Sequence, residues 1–430
     1  MAPTIGPGST PPGTVPPGPA PGNPTPEDGE PGPALGVRRL GGDVALRVAA
    51  RIGGAGLQAA TLLLLARELG PGAFGSVAVF SSIGMLLGAV ASLGASTRVL
   101  RLRAEAEPET LLPSLYWMQL GGSLLVLLGL VVAAVLTGDA APAVVGALIA
   151  FSDAQMEFRV SHLSGQVRQS LASINILGQR GLTLLAVGGA ALLAVPVLPV
   201  VGVVVVVVAL LALVPGPAHR VAPRAVLRSA RTSLGYWLSG LVANLNQLEP
   251  AAVGATGGVG AAGLFAIAAR VSNPLSIVVT SLQAIAVPEM ARAADPKEFR
   301  RLFRLLLGVA VVYAAALVLG SPLVAAVFLA VVGPQYEGAR TLVTVLVVCA
   351  GLSAVSQALQ ARLLAVGRPA TPAWIVGGGT VVGLVLLLVT SPIDGGAYLW
   401  VAPLAAQLLI FLALAVVPVR GGVAATPDRS

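Results

Sequence analysis

A short set of ionisable side chains lies inside long apolar stretches of this sequence: Asp43, Arg47 and Arg51, then Asp153 and Arg180, then Glu249 and Arg270. An ionisable group at mid-bilayer costs roughly 2.5–3.5 kcal/mol on insertion scales, so such groups face a cavity or a partner. Asp43, Arg47 and Arg51 recur every four residues and therefore share one helix face. The guanidinium fork suits paired anionic oxygens, held by charge-assisted hydrogen bonds. Two readings stand for these arginines: a basic stripe toward a central cavity, or snorkelling to the inner membrane surface.

Glu249 and Arg270 flank one predicted outer turn at similar distances, so in an antiparallel hairpin they reach similar depth. Either they pair, or Arg270 takes an anionic substrate group while Glu249 takes a proton or sodium ion. Pro250 follows Glu249 and removes a helix hydrogen bond beside the acid. Asp153 and Arg180 stand at matching depths on either side of a shared inner loop, and a structural salt bridge is the reading their placement favours. Asn244, Asn246 and Gln247 add amides that either line a polar cavity or tie helices together.

These residues need apolar elements to hold them, and composition supplies them. Of 430 residues 56% are hydrophobic and 10% charged, with a mean hydropathy of +0.89, against about 25% charged in ordinary soluble domains. A water-soluble globule is excluded, and 52 Gly and 33 Pro accord with membrane-spanning helices. The net charge of +8 is explained by basic inner loops, so no nucleic-acid partner is expected. The single Cys349 and the distant His162 and His219 provide neither a disulfide framework nor zinc spacing. No metal, cofactor or catalytic constellation is expected.

About 20 apolar residues cross the roughly 30 Å hydrocarbon layer as helix, and twelve such runs can be drawn: 42–66, 72–97, 112–137, 141–162, 170–194, 196–215, 232–254, 259–290, 302–330, 339–365, 370–390 and 397–419. With the N-terminus inside, 20 of the 26 basic residues fall in inner loops, tails or the inner ends of runs, two at the outer side and four deeper within runs. That bias is the one membrane insertion demands, and it predicts both termini on the cytoplasmic side of the cytoplasmic membrane. Residues 1–37, with twelve prolines and no apolar stretch, read as a disordered cytoplasmic tail. Residues 420–430 read as a second, shorter tail.

The basic connector 216–231 divides the chain into six-helix lobes at 38–215 and 232–419. Gly72, Gly75 and Ala78 align with Gly260, Gly263 and Ala266 at an offset of 188, a weak internal echo. Because six is even, any repeat is parallel, about an axis along the membrane normal. Trp117, Trp237 and Trp400, with Tyr116, Tyr236 and Tyr398, lie near run ends as interface anchors.

Ala66-Arg67-Glu68-Leu69-Gly70-Pro71-Gly72-Ala73-Phe74-Gly75, continuing through Ser82-Ile83 to Leu93-Gly94, resembles the opening of Wzx-type polysaccharide-biosynthesis exporters. These belong to the multidrug/oligosaccharidyl-lipid/polysaccharide (MOP) exporter superfamily. Asn244 to Glu249 followed by Val259 to Phe265, then Val332 to Tyr336 and Gly367-Arg368-Pro369, extend the resemblance to residues 42–419. It implies an all-α integral membrane protein of about twelve helices in two lobes, MATE-like, with a lipid-linked oligosaccharide as cargo. Relatives often carry an Asp near the middle of span seven; here Asn246 stands there and the acid is Glu249.

On this reading Arg47, Arg51, Arg180 and Arg270 are candidates to hold a polyprenyl diphosphate, and Glu249 and Asp153 to couple transport to H+ or Na+. Membrane lipids, and polymerases or glycosyltransferases of the same pathway, are the expected partners. A drug or ion antiporter of the same superfamily is the nearest alternative, but four intramembrane arginines suit anionic cargo better. A peptidoglycan-precursor flippase is a further relative, and twelve spans lean away from its fourteen. A membrane-embedded polymerase or glycosyltransferase fits less well, because the outer connectors are short and carry few acids.

Overall fold

The computed structural model describes residues 37–100, 108–166, 168–213, 223–233, 237, 244–293 and 295–418, with side chains from Ala49 onward except Arg51 and a few others. Several expectations fall outside the described residues. They are the Pro-rich tail, most of the 101–109 loop, the start of the 216–231 connector, most of 234–243 in the seventh run, the C-terminal tail, and the side chains of Asp43, Arg47 and Arg51. The chain divides into two compact units between Val44 and Ala45, and the helix bundle belongs to the second.

The protein is an all-α membrane protein. Its helices are α1 (Val37–Ala91), α2 (Ala95–Val99), α3 (Pro108–Thr137), α4 (Ala140–Gly165), α5 (Gln169–Leu192), α6 (Val197–Ala212) and α7 (Pro223–Thr232) in the first half. The second half has α8 (Glu249–Arg292), α9 (Pro296–Val332), α10 (Arg340–Ala365), α11 (Ala370–Thr390) and α12 (Val401–Val416). Seven described helical stretches are long and apolar enough to cross a membrane, and α6 and α12 are shorter apolar helices.

Two of the long helices are each broken by one glycine. Gly70 (φ 73°, ψ 170°) interrupts α1 just before Pro71, and Gly258 (φ 82°, ψ 167°) interrupts α8. These backbone angles exclude a side chain with Cβ at little strain, so glycine is required at both breaks. Each break coincides with an outer turn that the apolar runs predict.

Other turns at this end also carry glycine, with positive φ at Gly138, Gly333, Gly395 and Gly396. Between the fifth and sixth runs the break comes at Ala194 (φ 52°), and Pro196 caps α6. Pro cannot donate the first helical N–H, which is an orphan in any case.

The core joins both halves: Phe74, Val145, Val187 and Val201 belong to the same buried cluster as Phe265, Phe328, Tyr336 and Val343. Outward faces carry exposed Leu125, Leu185, Leu192, Val312, Leu319 and Leu412. In a soluble protein such a surface would be unstable to association, and in lipid it is the solvent-matched face.

From Pro223 the connector forms the amphipathic helix α7, with Val226 and Ala230 packed against the cluster of Val99, Leu115 and Phe158. Arg98, expected in an inner loop, is buried and donates through Nη1 to Ser229 O (3.2 Å) and Ser233 Oγ (3.2 Å).

Candidate functional site: two polar clefts and a charge cluster between the halves

Asp153 on α4 faces α5, where Arg180 Nη1 donates to its Oδ1 at 2.9 Å and Gln179 Nε2 donates to the same oxygen at 2.8 Å. Consecutive residues of one helix reach one carboxylate because it sits over their shared groove. The pair is 23% and 10% exposed at the side chains, partly withdrawn from water without being sealed. It lines a cleft of about 470 Å³, open mouth included, together with Gln58 and Thr61 of α1, Ser152, and Thr183 of α5. Thr61 and Thr183 donate their hydroxyls to the carbonyls one turn back, at Leu57 and Gln179, which leaves the hydroxyl oxygens available as acceptors.

Arg270, from α8, approaches from the other half and lies within Coulomb range of both Asp153 and Arg180. Glu157, one turn along α4 from Asp153, lies within Coulomb range of that carboxylate as well, so two acids and two arginines share this region. Among the described residues Arg270 and Glu249 form no ion pair. Their depths are similar, but the two side chains leave the hairpin toward different neighbours: Arg270 toward the first half, Glu249 into a cleft of the second.

That second cleft, about 940 Å³ with its open mouth included, is lined by Asn246, Glu249, Ser272, Ser353, Thr380 and Gln407 among apolar residues that include Leu346, Leu387 and Ile410. Cys349 also lines it and lies within Coulomb range of Glu249. Asn246 belongs to a short 3-10 turn, Leu245–Leu248, that leads into α8, with Pro250 at the start of the helix. Gln247 and Asn244 lie on the same turn or at its cap but do not line the cleft. Gln58, Thr61, Gln179, Ser272, Thr380 and Gln407 join the clefts without being expected from charge or spacing. The signal for each is a lone polar side chain in an apolar run.

The end that carries the glycine turns is tied across the halves. Tyr336, fully buried, donates its hydroxyl to Ala66 O at 3.1 Å, Gln335 Nε2 donates to Arg67 O at 2.9 Å, and Arg67 Nη1 donates to Val331 O at 3.3 Å. Within each half, Ser76 bonds Asp139 and Thr256 bonds Ser391 at the same end. At the opposite end Arg98 of the first half bonds Ser229 and Ser233 at the end of the connector, and Arg362 Nη2 donates to Val417 O (3.1 Å) within the second half.

No family model and no curated protein matches the chain. Among solved structures it is similar to the lipid II flippase MurJ in its inward closed conformation, with a TM-score of 0.63 and 10% identity, over 86% of this chain and 86% of the flippase. It is similar also to a multidrug resistance MATE family transporter of the MOP superfamily in its inward-facing conformation, with a TM-score of 0.59 and 14% identity, over 86% of this chain and 96% of the transporter. The chain therefore has the fold of the MOP-superfamily transporters. At these identities it is the fold that is shared.

Proposed function

We propose that this protein is a transporter that flips a polyprenyl-diphosphate-linked oligosaccharide across the cytoplasmic membrane by alternating access. The observation that carries the proposal is the Arg180–Asp153 ion pair lining a polar cavity, with Arg270 of the other half within Coulomb range of both. Guanidinium groups in a partly hydrated cavity inside a membrane protein offer a diphosphate the charge-assisted hydrogen bonds that lipid denies it. Arg51 stands seven residues before Gln58, two turns along the helix arm that lines the cavity, and with Arg47 completes the proposed diphosphate site. Asn244, Asn246 and Gln247 serve sugar hydroxyls, and the lipid tail stays in the bilayer.

In this reading residues 38–215 and 232–419 move as two lobes, both termini are cytoplasmic, and no covalent step is required. The similarity to a solved lipid II flippase supports lipid-linked cargo. Glu249, in a polar cleft and without a basic partner among the described residues, is the proposed site of H+ or Na+ coupling, with Asp153 as a second candidate. Polymerases or glycosyltransferases that supply and consume the glycan are the proposed protein partners. The acidic cleft also favours a second reading, a drug or ion antiporter with cationic cargo.

Proteoliposomes loaded with a fluorescent polyprenyl-diphosphate oligosaccharide test the two. Appearance of the sugar on the face reached by a membrane-impermeant modifying probe, lost in Arg51→Ala and Arg270→Ala at unchanged protein level, is the expected result. No transfer with any glycan, with or without an ion gradient, together with gradient-driven uptake of cationic drugs, would establish the antiporter instead.

A further inference from the structure

We infer that α9 carries a binding site for anionic phospholipid headgroups, formed by Lys297, Arg300, Arg301 and Arg304. The spacing is i, i+3, i+4, i+7, which places four cations on one helix face. All four are exposed. The opposite face is fixed: Phe299, Leu302, Phe303 and Leu306 pack with Met290 of α8 and Ala358 and Ala361 of α10. The cationic face therefore cannot rotate inward.

What continues the cationic face identifies its occupant. Beyond Arg304 the same side of α9 presents Leu305, Val312, Leu319 and Leu323, all exposed large apolar residues. A stripe that is basic for about 10 Å and then apolar for about 27 Å matches a headgroup layer above hydrocarbon. Clusters of four or more Lys and Arg beside a spanning helix attract anionic lipid.

Two further observations point to an external anion. The cations occupy the first two turns of a helix, where the dipole favours negative charge, so the helix itself gives them no stabilisation. The N-terminus is already served by Asp295, whose Oδ1 accepts from Lys297 N at 2.7 Å. Among the described residues none of the four cations enters an ion pair, and Arg300 Nε donates only to Pro296 O, at 3.1 Å. The inside-positive bias of membrane insertion accounts for cations in this connector but not for their confinement to one lipid-continuous face. The site is separate from the charge cluster between the halves and does not depend on which cargo is carried.

The test is lipid retention by the purified full chain, read by native mass spectrometry after exchange into mixtures of phosphatidylglycerol and phosphatidylcholine. The wild type is expected to retain phosphatidylglycerol at least tenfold over phosphatidylcholine, and the variant Lys297→Gln/Arg300→Gln/Arg301→Gln/Arg304→Gln less than twofold. The charge-keeping variant Lys297→Arg/Arg300→Lys/Arg301→Lys/Arg304→Lys should keep the preference. If the fourfold glutamine variant does not fold, Arg300→Gln/Arg304→Gln should show an intermediate preference. Undiminished phosphatidylglycerol retention in the glutamine variants, or equal retention of both lipids by the wild type, would overturn the site. Exclusive retention of an added polyprenyl phosphate would overturn it too, by assigning the stripe to cargo.

Discussion

Gly75 and Gly263 meet backbone to backbone where the two halves cross, and each occupies in its half the position of the other. A Cβ on Gly75 would lie 1.7 Å from Val259 O, and a Cβ on Gly263 would lie 2.0 Å from Pro71 O. Pro71 and Val259 are themselves 188 positions apart, as are the two glycines and the two breaks at Gly70 and Gly258. The contact is thus its own image under exchange of the halves, the property of an interface about a local two-fold axis. Because the obstructing atoms are carbonyl oxygens and not flexible side chains, the crossing cannot relax locally. Gly75→Ala and Gly263→Ala are each expected to destabilise the protein by about 1–3 kcal/mol or more, seen as a lowered thermal midpoint in detergent. Gly72→Ala, in open space on the same arm, should leave the midpoint within error of the wild type.

Tyr336 is the second tie at this end. Its hydroxyl satisfies Ala66 O in a fully buried setting. Tyr336→Phe keeps the ring and strands the carbonyl, an expected cost of about 1–3 kcal/mol. Since Ala66 and Tyr336 belong to opposite halves, part of that cost falls on the closed arrangement of the turns. A cysteine at Gln335 should label faster with a membrane-impermeant thiol reagent in the Tyr336→Phe background than without it.

The spans were legible in the sequence because length and hydropathy are one-dimensional properties. The outer turns at Gly70, Gly258 and Gly333 fall where apolar runs are interrupted, and the Gly75/Gly263 echo, weak as three small residues, marked the true crossing. The azimuth of a side chain was not legible. Glu249 and Arg270 have the depths the hairpin dictates, yet they face different neighbours, because a helix face is assigned by packing against helices distant in sequence. Helix α7 was hidden for another reason. Its arginines read as a polar connector, although Val226, Ala230 and Ser233, at i, i+4 and i+7, already trace one packed face.

Arg98 ties α7 to the bundle. Its guanidinium is buried and reaches Ser229 O and Ser233 Oγ, and hydrogen bonds made by a charged donor contribute about 1.5–3 kcal/mol. Arg98→Ala should lower stability by that order and release α7, raising amide hydrogen exchange across 226–233 ahead of the rest of the chain. Arg231→Ala, at an exposed site on the same helix, should change exchange there little.

Asp153 accepts from both Gln179 and Arg180 through one oxygen. Asp153→Asn removes the negative charge and keeps the shape, so the charge around Arg180 and Arg270 rises by one unit. Binding of an anionic lipid diphosphate should tighten, by tenfold or more if the arginines hold it, while release slows. Tryptophan-quenching titrations and single-turnover transport would separate the two: tighter binding with slower turnover is expected, and unchanged affinity would remove the cluster from the binding path.

The Glu249 carboxyl makes no hydrogen bond or ion pair with any described residue, yet it lines a cleft with Asn246, Thr380 and Gln407. A carboxyl so placed has two means of compensation, binding a proton or binding a cation whose shell the neighbouring oxygens complete. Glu249→Gln imitates the protonated form and cannot exchange its proton. If protons drive the cycle, the variant should lose the acceleration caused by an imposed pH gradient while keeping wild-type binding of cargo. If sodium does, Glu249→Gln should abolish sodium stimulation at every pH. Transport that responds to both gradients as in the wild type would exclude Glu249 from coupling and leave Asp153 as the only acid within the two clefts able to serve.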